Sequence, residues 1–384
     1  MKKILFISHD ATRTGAPMVI FHFLKWLQLN QPDIQADLLV LKGGNLESHF
    51  KEVVYNYFDY EIKNTPKKLN RKERILLKLG WLKRPNLKDD FLLELSQNNY
   101  DVVYANTIAS IKFAYELVSK AKPAKFIVHL HELNAIIRLM LPDFNNYTNL
   151  IDLYITPAKI VKDNLLMNWA VPENKIEVVY EFASISGIEE HANERERNNK
   201  REEFVIGASG TVHWRKGHDV FIQVARYISQ RHPEINFKFI WVGKISKTEQ
   251  LIVEEDLLKL GLIDQVVFAG EVENPEDYYK DFDVFLMTSR EDPFPLVCIE
   301  VGMLGKPIIS FEKAVGTNEV LKQGGGFIVP YLDIEAMAHK VIEYYKNPNL
   351  MSAHGTINKT IFSQFTPEIV CPQLFSVIKK NCSL

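Results

Sequence analysis

The sequence predicts an α/β protein of two domains, each built on an open parallel sheet. Three observations carry that reading. The chain has 384 residues, too many for one ordinary core and suited to two domains of ordinary size. Short apolar runs alternate with longer helical patterns along its whole length, the signature of right-handed βαβ units. The alternation breaks once, at the polar and charged stretch 184–203, and a fresh strand-like run, FVIGASG, starts at Phe204.

In the first half the strand candidates are Ile4–Ser8, Asp37–Leu41, Val102–Tyr104, Phe126–Leu130, Leu153–Thr156 and Ile176–Val179. In the second half they are Phe204–Gly207, Phe237–Val242, Val266–Ala269, Val284–Met287, Pro307–Ser310 and Phe327–Val329. Most are apolar on successive residues, as expected of parallel strands covered on both faces. Helical spacing marks Ala16–Leu29, Ile108–Ser119, Val220–Ser229 and Ile334–Tyr345. The expected organisation is an N-terminal domain over 1–183, a linker over 184–203, a C-terminal domain over 204–365 and a terminal helix over 366–384 that packs back, on the N-terminal domain by expectation.

Composition narrows the function classes. Hydrophobic residues at 46% and aromatic residues at 11% support packed cores and argue against long disorder. A net charge of -2 supplies no basic domain of the kind a dedicated nucleic-acid binder shows, so no nucleic-acid partner is expected. Cys298, Cys371 and Cys382 are an odd, sparse set, which fits a reducing compartment without a disulfide framework. The apolar run Ile4–Ile7 is short and is followed by His9 and Asp10, so it suits a buried first strand better than an export signal. No stretch approaches the ~18 apolar residues that span a bilayer. The expected location is cytoplasmic, at most peripheral at the inner face of the membrane.

Residues 66–88 are unusually basic, with Lys67, Lys68, Arg71, Lys72, Arg74, Lys78, Lys83, Arg84 and Lys88 against a single acid, Glu73. Apolar Leu69, Ile75, Leu76, Leu77, Leu79, Trp81 and Leu82 interleave with them. Two readings stand open: a solvated helix with one face on the core, and an amphipathic segment that touches anionic lipid.

Three loops carry candidate chemistry. After the first strand, Arg13-Thr14-Gly15-Ala16-Pro17 leads into a helix. Gly15 permits close backbone approach and Pro17 suits the first turn. The full dinucleotide fingerprint is absent, which lowers the case for a nicotinamide or flavin cofactor. After strand FVIGA, the loop GASGTVHWRKGHD puts Arg215 and Lys216 beside a helix N-terminus, where free amides and the dipole already favour an anion such as a diphosphate. The competing reading is ordinary surface charge. After strand VFLM, the segment SREDPFPLVCIE sets Asp292 on a proline-rigid turn and Glu300 on the face of the following helix, where amides of Leu296 and Val297 meet whatever binds. Carboxylates there suit sugar hydroxyls; helix-end charge is the bland alternative. His129 and His131, in HLHE, fall on one side of a strand, with His131 nearer the carboxyl end where open sheets bind ligands. No His, Asp or Cys spacing suggests a metal site.

These motifs together resemble the retaining glycosyltransferases of family 4. DPFPLVCIE is similar to their E-x7-E signature, with Asp292 first and Glu300 second. GASGTVHWRKGHD resembles their phosphate loop with Gly210, RTGAP their N-terminal glycine loop, HLHE the strand end with an active-site histidine, and GKPIISFEKAVGTNEVLKQGGGFIVP the following strand, with Glu319 at a usually acidic position. The resemblance covers nearly the whole chain and is densest from Phe204 to Tyr345.

It implies a GT-B fold, two Rossmann-like domains facing each other across a cleft. It also implies a nucleotide-diphosphate sugar as donor, a glycan, lipid-linked or protein acceptor, and no separate cofactor or metal. By the same resemblance the base lies near Gly270 and Val272, Glu300 holds the ribose, and Lys216 with Arg215 neutralises the diphosphate. Asp292 and the backbone of Phe294, Leu296 and Val297 would orient the donor sugar, while Gly15 and His131 act from the N-terminal domain. The chain departs from the pattern twice: Asp292 is one carbon shorter than the usual Glu, with Glu291 adjacent, and Thr211 follows the phosphate-loop glycine where Arg is frequent. Two other readings of the same fold are a nucleotide-sugar epimerase and a non-catalytic binding subunit.

Overall fold

The computed structural model describes residues 1–66, 71–79, 81, 86–120, 124–185 and 203–382. The chain divides into two compact units. The first comprises Met1–Thr156, Asn164–Val179 and the chain from Cys371; the second comprises Pro157–Asp163 and Tyr180–Val370.

The first unit holds seven strands: β1 Lys2–Ser8, β2 Ile34–Val40, β3 Tyr57–Asp59, β4 Val102–Asn106, β5 Lys125–His129, β6 Leu153–Thr156 and β7 Ile176–Val178. They form one sheet in the order β3-β2-β1-β4-β5-β6-β7, every pairing parallel. Residues Ile4–Ser8 of β1 are buried without interruption, which is why the run carries no polar alternation. The edge strand β3 has no counterpart among the sequence-based expectations. Its YFD is only half-buried and offers no apolar run to detect.

The second unit holds β8 Phe204–Ser209, β9 Phe237–Val242, β10 Val266–Gly270, β11 Val284–Met287, β12 Ile308–Phe311 and β13 Gly326–Val329. Their order is β10-β9-β8-β11-β12-β13, again all parallel. Helices predicted at Val220–Ser229 and Ile334–Tyr345 occur as His218–Arg231 and Ile334–Lys346. A helix over Lys247–Leu260 begins with a reciprocal capping box between Ser246 and Glu249, the S-x-x-E signal in the sequence.

In each sheet the strand order reverses direction once, between β1 and β4 and between β8 and β11. Open α/β sheets bind ligands outside the carboxyl ends of the strands at such switch points. The sequence-predicted loops follow those strand ends: RTGAP follows β1, GTVHWRKG follows β8, and SREDPFP follows β11.

Some residues pack with a unit other than the one their sequence position suggests, and the contacts within each unit say why. Glu319 accepts the Ile160 amide at 3.0 Å and the Tyr180 hydroxyl at 3.0 Å. The Tyr180 ring packs on Phe294 and Phe365, which holds 157–163 and 180–185 in the second unit. The helix Pro367–Cys382 places Phe375 against Trp26 at 5.9 Å and Lys380 within 4.0 Å of Glu177, so the chain from Cys371 packs in the first unit.

Residues 186–202 of the expected linker lie outside the described residues, as do 67–70, 80 and 82–85 of the basic segment. Within that segment, the helix Arg71–Lys78 leaves Ile75 and Leu76 exposed, and Leu79 and Trp81 beyond it are exposed too. Those four apolar side chains therefore contribute no core face. Among the described residues, no helix is long and apolar enough to cross a membrane.

Candidate functional site

In the second unit the site starts from bare backbone. Gly210 follows β8 with φ +146, its amide donating to Val242 O at 2.9 Å and its carbonyl accepting from the Trp241 indole at 2.8 Å. Gly243 closes β9 with φ +144, and a Cβ there would stand 2.2 Å from Gly210 O. Its amide in turn reaches Gly270 O at 2.9 Å. Strands β8 and β9 are thus each followed directly by glycine and β10 ends on one, so no side chain from these three positions covers the sheet edge. Gly243 was missed by sequence reasoning; its signal was a glycine directly after the strand FKFIWV.

Beyond Gly210 the chain makes a 3₁₀ turn, Trp214–Lys216, started by the His213 ring accepting the Arg215 amide at 3.2 Å. Gly217, at φ +73, then opens the helix His218–Arg231. The turn is bolted to the loop after β11. Arg290 donates its amide to Arg215 O at 2.7 Å, its guanidinium to Trp214 O at 2.8 Å, and a bidentate pair to Asp219 at 2.9 and 2.7 Å. Arg290 and Asp219 lie inside the loops SREDPFP and GASGTVHWRKGHD but were given no role from the sequence, because position along the chain does not show that the two grip each other.

The bolt brings three predicted residues together. Lys216 Nζ donates to Asp292 Oδ2 at 2.6 Å, and Arg215 Nη1 donates to Asp292 Oδ1 at 3.2 Å and to Glu291 O at 2.8 Å. Ser289 Oγ adds a third donor to the carboxylate at 3.0 Å. Asp292 is 5% exposed. Burial alone would raise its carboxyl, but Lys216 and then Arg215 overcome that and hold it below the ordinary carboxylate range. Burial, and Arg215 beside it, make Lys216 more acidic than an ordinary lysine, with Asp292 opposing them.

Counting donors shows what remains. Both hydrogens on Arg215 Nη1 are spent, while Nη2 and Nε have no acceptor among the described residues. Lys216 Nζ keeps two of its three N–H groups. The pair of cations and one carboxylate leave one net positive charge.

The helix Leu296–Met303 follows Pro295, with no side-chain cap and no acid in its first turn. The Cys298 amide turns back to Pro295 O; those of Leu296 and Val297 have no acceptor among the described residues, as a helix start leaves them. The Phe294 side chain is core, its ring packed at a tilt against Tyr180 and Phe365, so its backbone is what it offers to the turn. Thr211 is exposed and Val272 half-buried. Glu300 is half-buried, and burial followed by the charge of Glu276 pushes its carboxyl up to about 7. Its charge is felt by the buried Tyr279, whose hydroxyl meets Ser209 at 2.7 Å. Glu319 is committed to Ile160 and Tyr180, which makes its role here structural.

In the first unit Gly15 is exposed at the start of the helix Gly15–Asn30, and a Cβ there would meet nothing within 4 Å. The His131 ring Nε2 lies 2.9 Å from Asn106 Oδ1, while Asn106 Nδ2 donates to Ala16 O at 2.9 Å. The amide hydrogens of Asn106 therefore point at Ala16, and His131 Nε2 must carry the proton. Asn106, at the end of β4, joins the RTGAP and HLHE loops and was not legible as a site residue. The rings of His129 and His131 stand 4.0 Å apart, on one side as the alternation predicted. Burial, then His131, keeps the His129 imidazole well below its usual range.

Two parallel-sheet domains with their loops at the switch points define the class: a two-Rossmann-like, GT-B fold. The structure of HepE from Anabaena, in complex with UDP and glucose, superposes with a TM-score of 0.77 at 20% identity, over 99% of this chain and 100% of that one. Residues 190–360 match the family described as glycosyl transferases group 1. The capsular polysaccharide biosynthesis glycosyltransferase CapM of Staphylococcus aureus is 30% identical over 233 residues, 58% of this chain and 60% of CapM. The lipopolysaccharide core biosynthesis mannosyltransferase LpcC of Rhizobium leguminosarum bv. viciae is 23% identical over 39% of this chain and 43% of its own length. The match thus spans less than two thirds of either relative.

Proposed function

We propose that this protein is a retaining glycosyltransferase that moves a sugar from a nucleotide-diphosphate donor to a glycan or glycoconjugate acceptor in surface polysaccharide synthesis. The observation that carries the reading is the pair Arg215 and Lys216. Their unspent donors lie on the loop that Gly210 opens after β8 at a switch point, tied through Asp292 to the loop that opens the uncapped helix at Leu296. That set of groups suits a diphosphate. The likeness to CapM and LpcC supports the class of acceptor, and the UDP bound by HepE supports the donor.

In this reading Glu300, once ionised, accepts the ribose hydroxyls and the strand end at Gly270 and Val272 receives the base. The backbone from Phe294 to Val297 orients the donor, while Gly15, as a donor-binding residue, and His131, as a catalytic one, act from the N-terminal domain. The bond from the anomeric carbon to the diphosphate breaks, and an acceptor oxygen bonds to that carbon on the face just vacated. The acceptor's proton passes to the departing phosphate oxygen. Charge that grows on the diphosphate is met by Lys216, Arg215 and the amides of Leu296 and Val297, preorganised before reaction. The reading assigns that neutralisation to side chains rather than to a divalent cation.

The same proposal places the protein in the cytoplasm, with peripheral contact at the membrane. Exposed Ile75, Leu76, Leu79 and Trp81, beside exposed Lys72 and Lys78, support contact with anionic lipid. Co-sedimentation with phosphatidylserine vesicles, set against phosphatidylcholine alone, tests it; equal recovery with both would overturn it.

The function is tested by a thermal-shift panel of UDP-, GDP-, CMP- and dTDP-sugars, followed by turnover of the stabilising donor with and without acceptor glycans. Acceptor-dependent release of nucleoside diphosphate is expected. Conversion of the sugar without acceptor would make it an epimerase, and binding with no turnover on any acceptor a non-catalytic subunit.

A further inference from the structure

We propose that Asp292 is a positioning residue, fixing Lys216 and Arg215 where the diphosphate binds, and that it does not itself hold the donor sugar. The inference rests on the nucleotide reading above and reassigns the role that the signature motif suggests for this acid.

A carboxylate has about four acceptor sites. Three are occupied by Lys216 Nζ, Arg215 Nη1 and Ser289 Oγ. The residue is nearly sealed from solvent, at 5% exposed. Its backbone is held on both sides, the amide donating to Ala314 O at 2.8 Å and the carbonyl accepting from Gly316 N at 3.1 Å. A short acid on a pinned backbone, with one acceptor site left, has little reach beyond these partners. It can hold two cations at fixed places, which a longer and freer glutamate would do less rigidly.

The second consequence is electrostatic. The charged and titratable groups that act on Lys216 are Arg215 from its own turn, Asp292 from the loop after β11 and Cys298 from the helix Leu296–Met303. Burial keeps the Cys298 thiol far above its usual range, hence neutral. Asp292 is therefore the one negative charge among them. With that charge gone, burial and Arg215 both drive Lys216 towards the neutral amine.

The test uses the full chain with Asp292→Asn, Asp292→Glu and Ser289→Ala. Titration calorimetry measures binding of UDP, of GDP and of the matching sugar nucleotide from pH 7 to pH 9. Wild type is expected to hold its affinity across that range. Asp292→Asn should bind more weakly than wild type by about tenfold or more, equally for the bare diphosphate and for the sugar nucleotide, and the loss should deepen as pH rises, because the Lys216 proton is held less firmly without that charge. Asp292→Glu should restore the flat profile. Ser289→Ala keeps the charge and serves if Asp292→Asn does not fold; it should weaken both ligands alike at every pH. Loss confined to the sugar nucleotide in any of these variants, or a wild-type pH profile in Asp292→Asn, would overturn the proposal. Failure of wild type to bind any nucleoside diphosphate would overturn the nucleotide reading, and this one with it.

Discussion

Lys216 donates to Asp292 across 2.6 Å, from a turn after β8 to a loop after β11. The two residues are far apart in sequence and lie in separate motifs. Their pairing converts a basic loop and an acidic signature into one cationic cradle with a defined number of unspent donors.

Removing the ammonium should therefore damage chemistry more than folding. Lys216→Ala is expected to lower kcat by about 10²-fold or more, measured by steady-state release of nucleoside diphosphate from the matching donor. A variant with near wild-type turnover would exclude Lys216 from charge stabilisation.

Gly243→Ala should destabilise the second unit. The new Cβ would stand 2.2 Å from a backbone oxygen at φ +144, a region costing a non-glycine residue about 1–3 kcal/mol before any clash. A fall in Tm of about 4 °C or more is expected by calorimetry. Gly15→Ala is the control, since nothing lies within 4 Å of the added atom; its Tm should not fall.

Glu300 should make stability depend on pH. Its carboxyl is raised to about 7 in the fold, against 4.5 for an ordinary glutamate, so the protonated form is the one the fold favours. The stabilisation is fully present below about 4.5 and is lost as pH rises through about 7. Glu300→Gln should therefore gain in Tm over wild type between pH 5 and pH 8. Thermal melts at both values check this; a constant difference would mean that Glu300 ionises normally.

Asn106→Ala should remove one constraint on the His131 tautomer. The proton on Nε2 is fixed by Asn106 Oδ1, so nitrogen NMR of labelled histidine should show the Nε2-H form in wild type and a tautomer mixture in the variant. An unchanged spectrum would show that another contact sets the ring.

Much of this was legible in the sequence, and the misses have physical causes. Buried parallel strands declare themselves as apolar runs, so β1, β4 and β11 could be read; β3 could not, because an edge strand with half-buried aromatics lacks such a run. Gly210, Arg215, Lys216, Asp292 and Glu300 stood in recognisable loops. Asn106 lay outside them, and Ser289, Arg290 and Asp219, although inside the same loops, carried no sign of the partners they hold. The direct bond between Asp292 and Lys216 was likewise invisible, because spacing along one chain does not report which loops of a sheet edge meet. The fate of Glu319 shows the converse: an acid at an expected motif position is consumed by Ile160 and Tyr180.

In the proposed function, Lys216, Arg215 and the helix start at Leu296 receive a diphosphate. A crystal structure with saturating UDP or GDP tests it most directly. Phosphate oxygens are expected within about 3.2 Å of Lys216 Nζ and of the Leu296 or Val297 amide. A nucleotide bound elsewhere, with those donors facing only water, would contradict it.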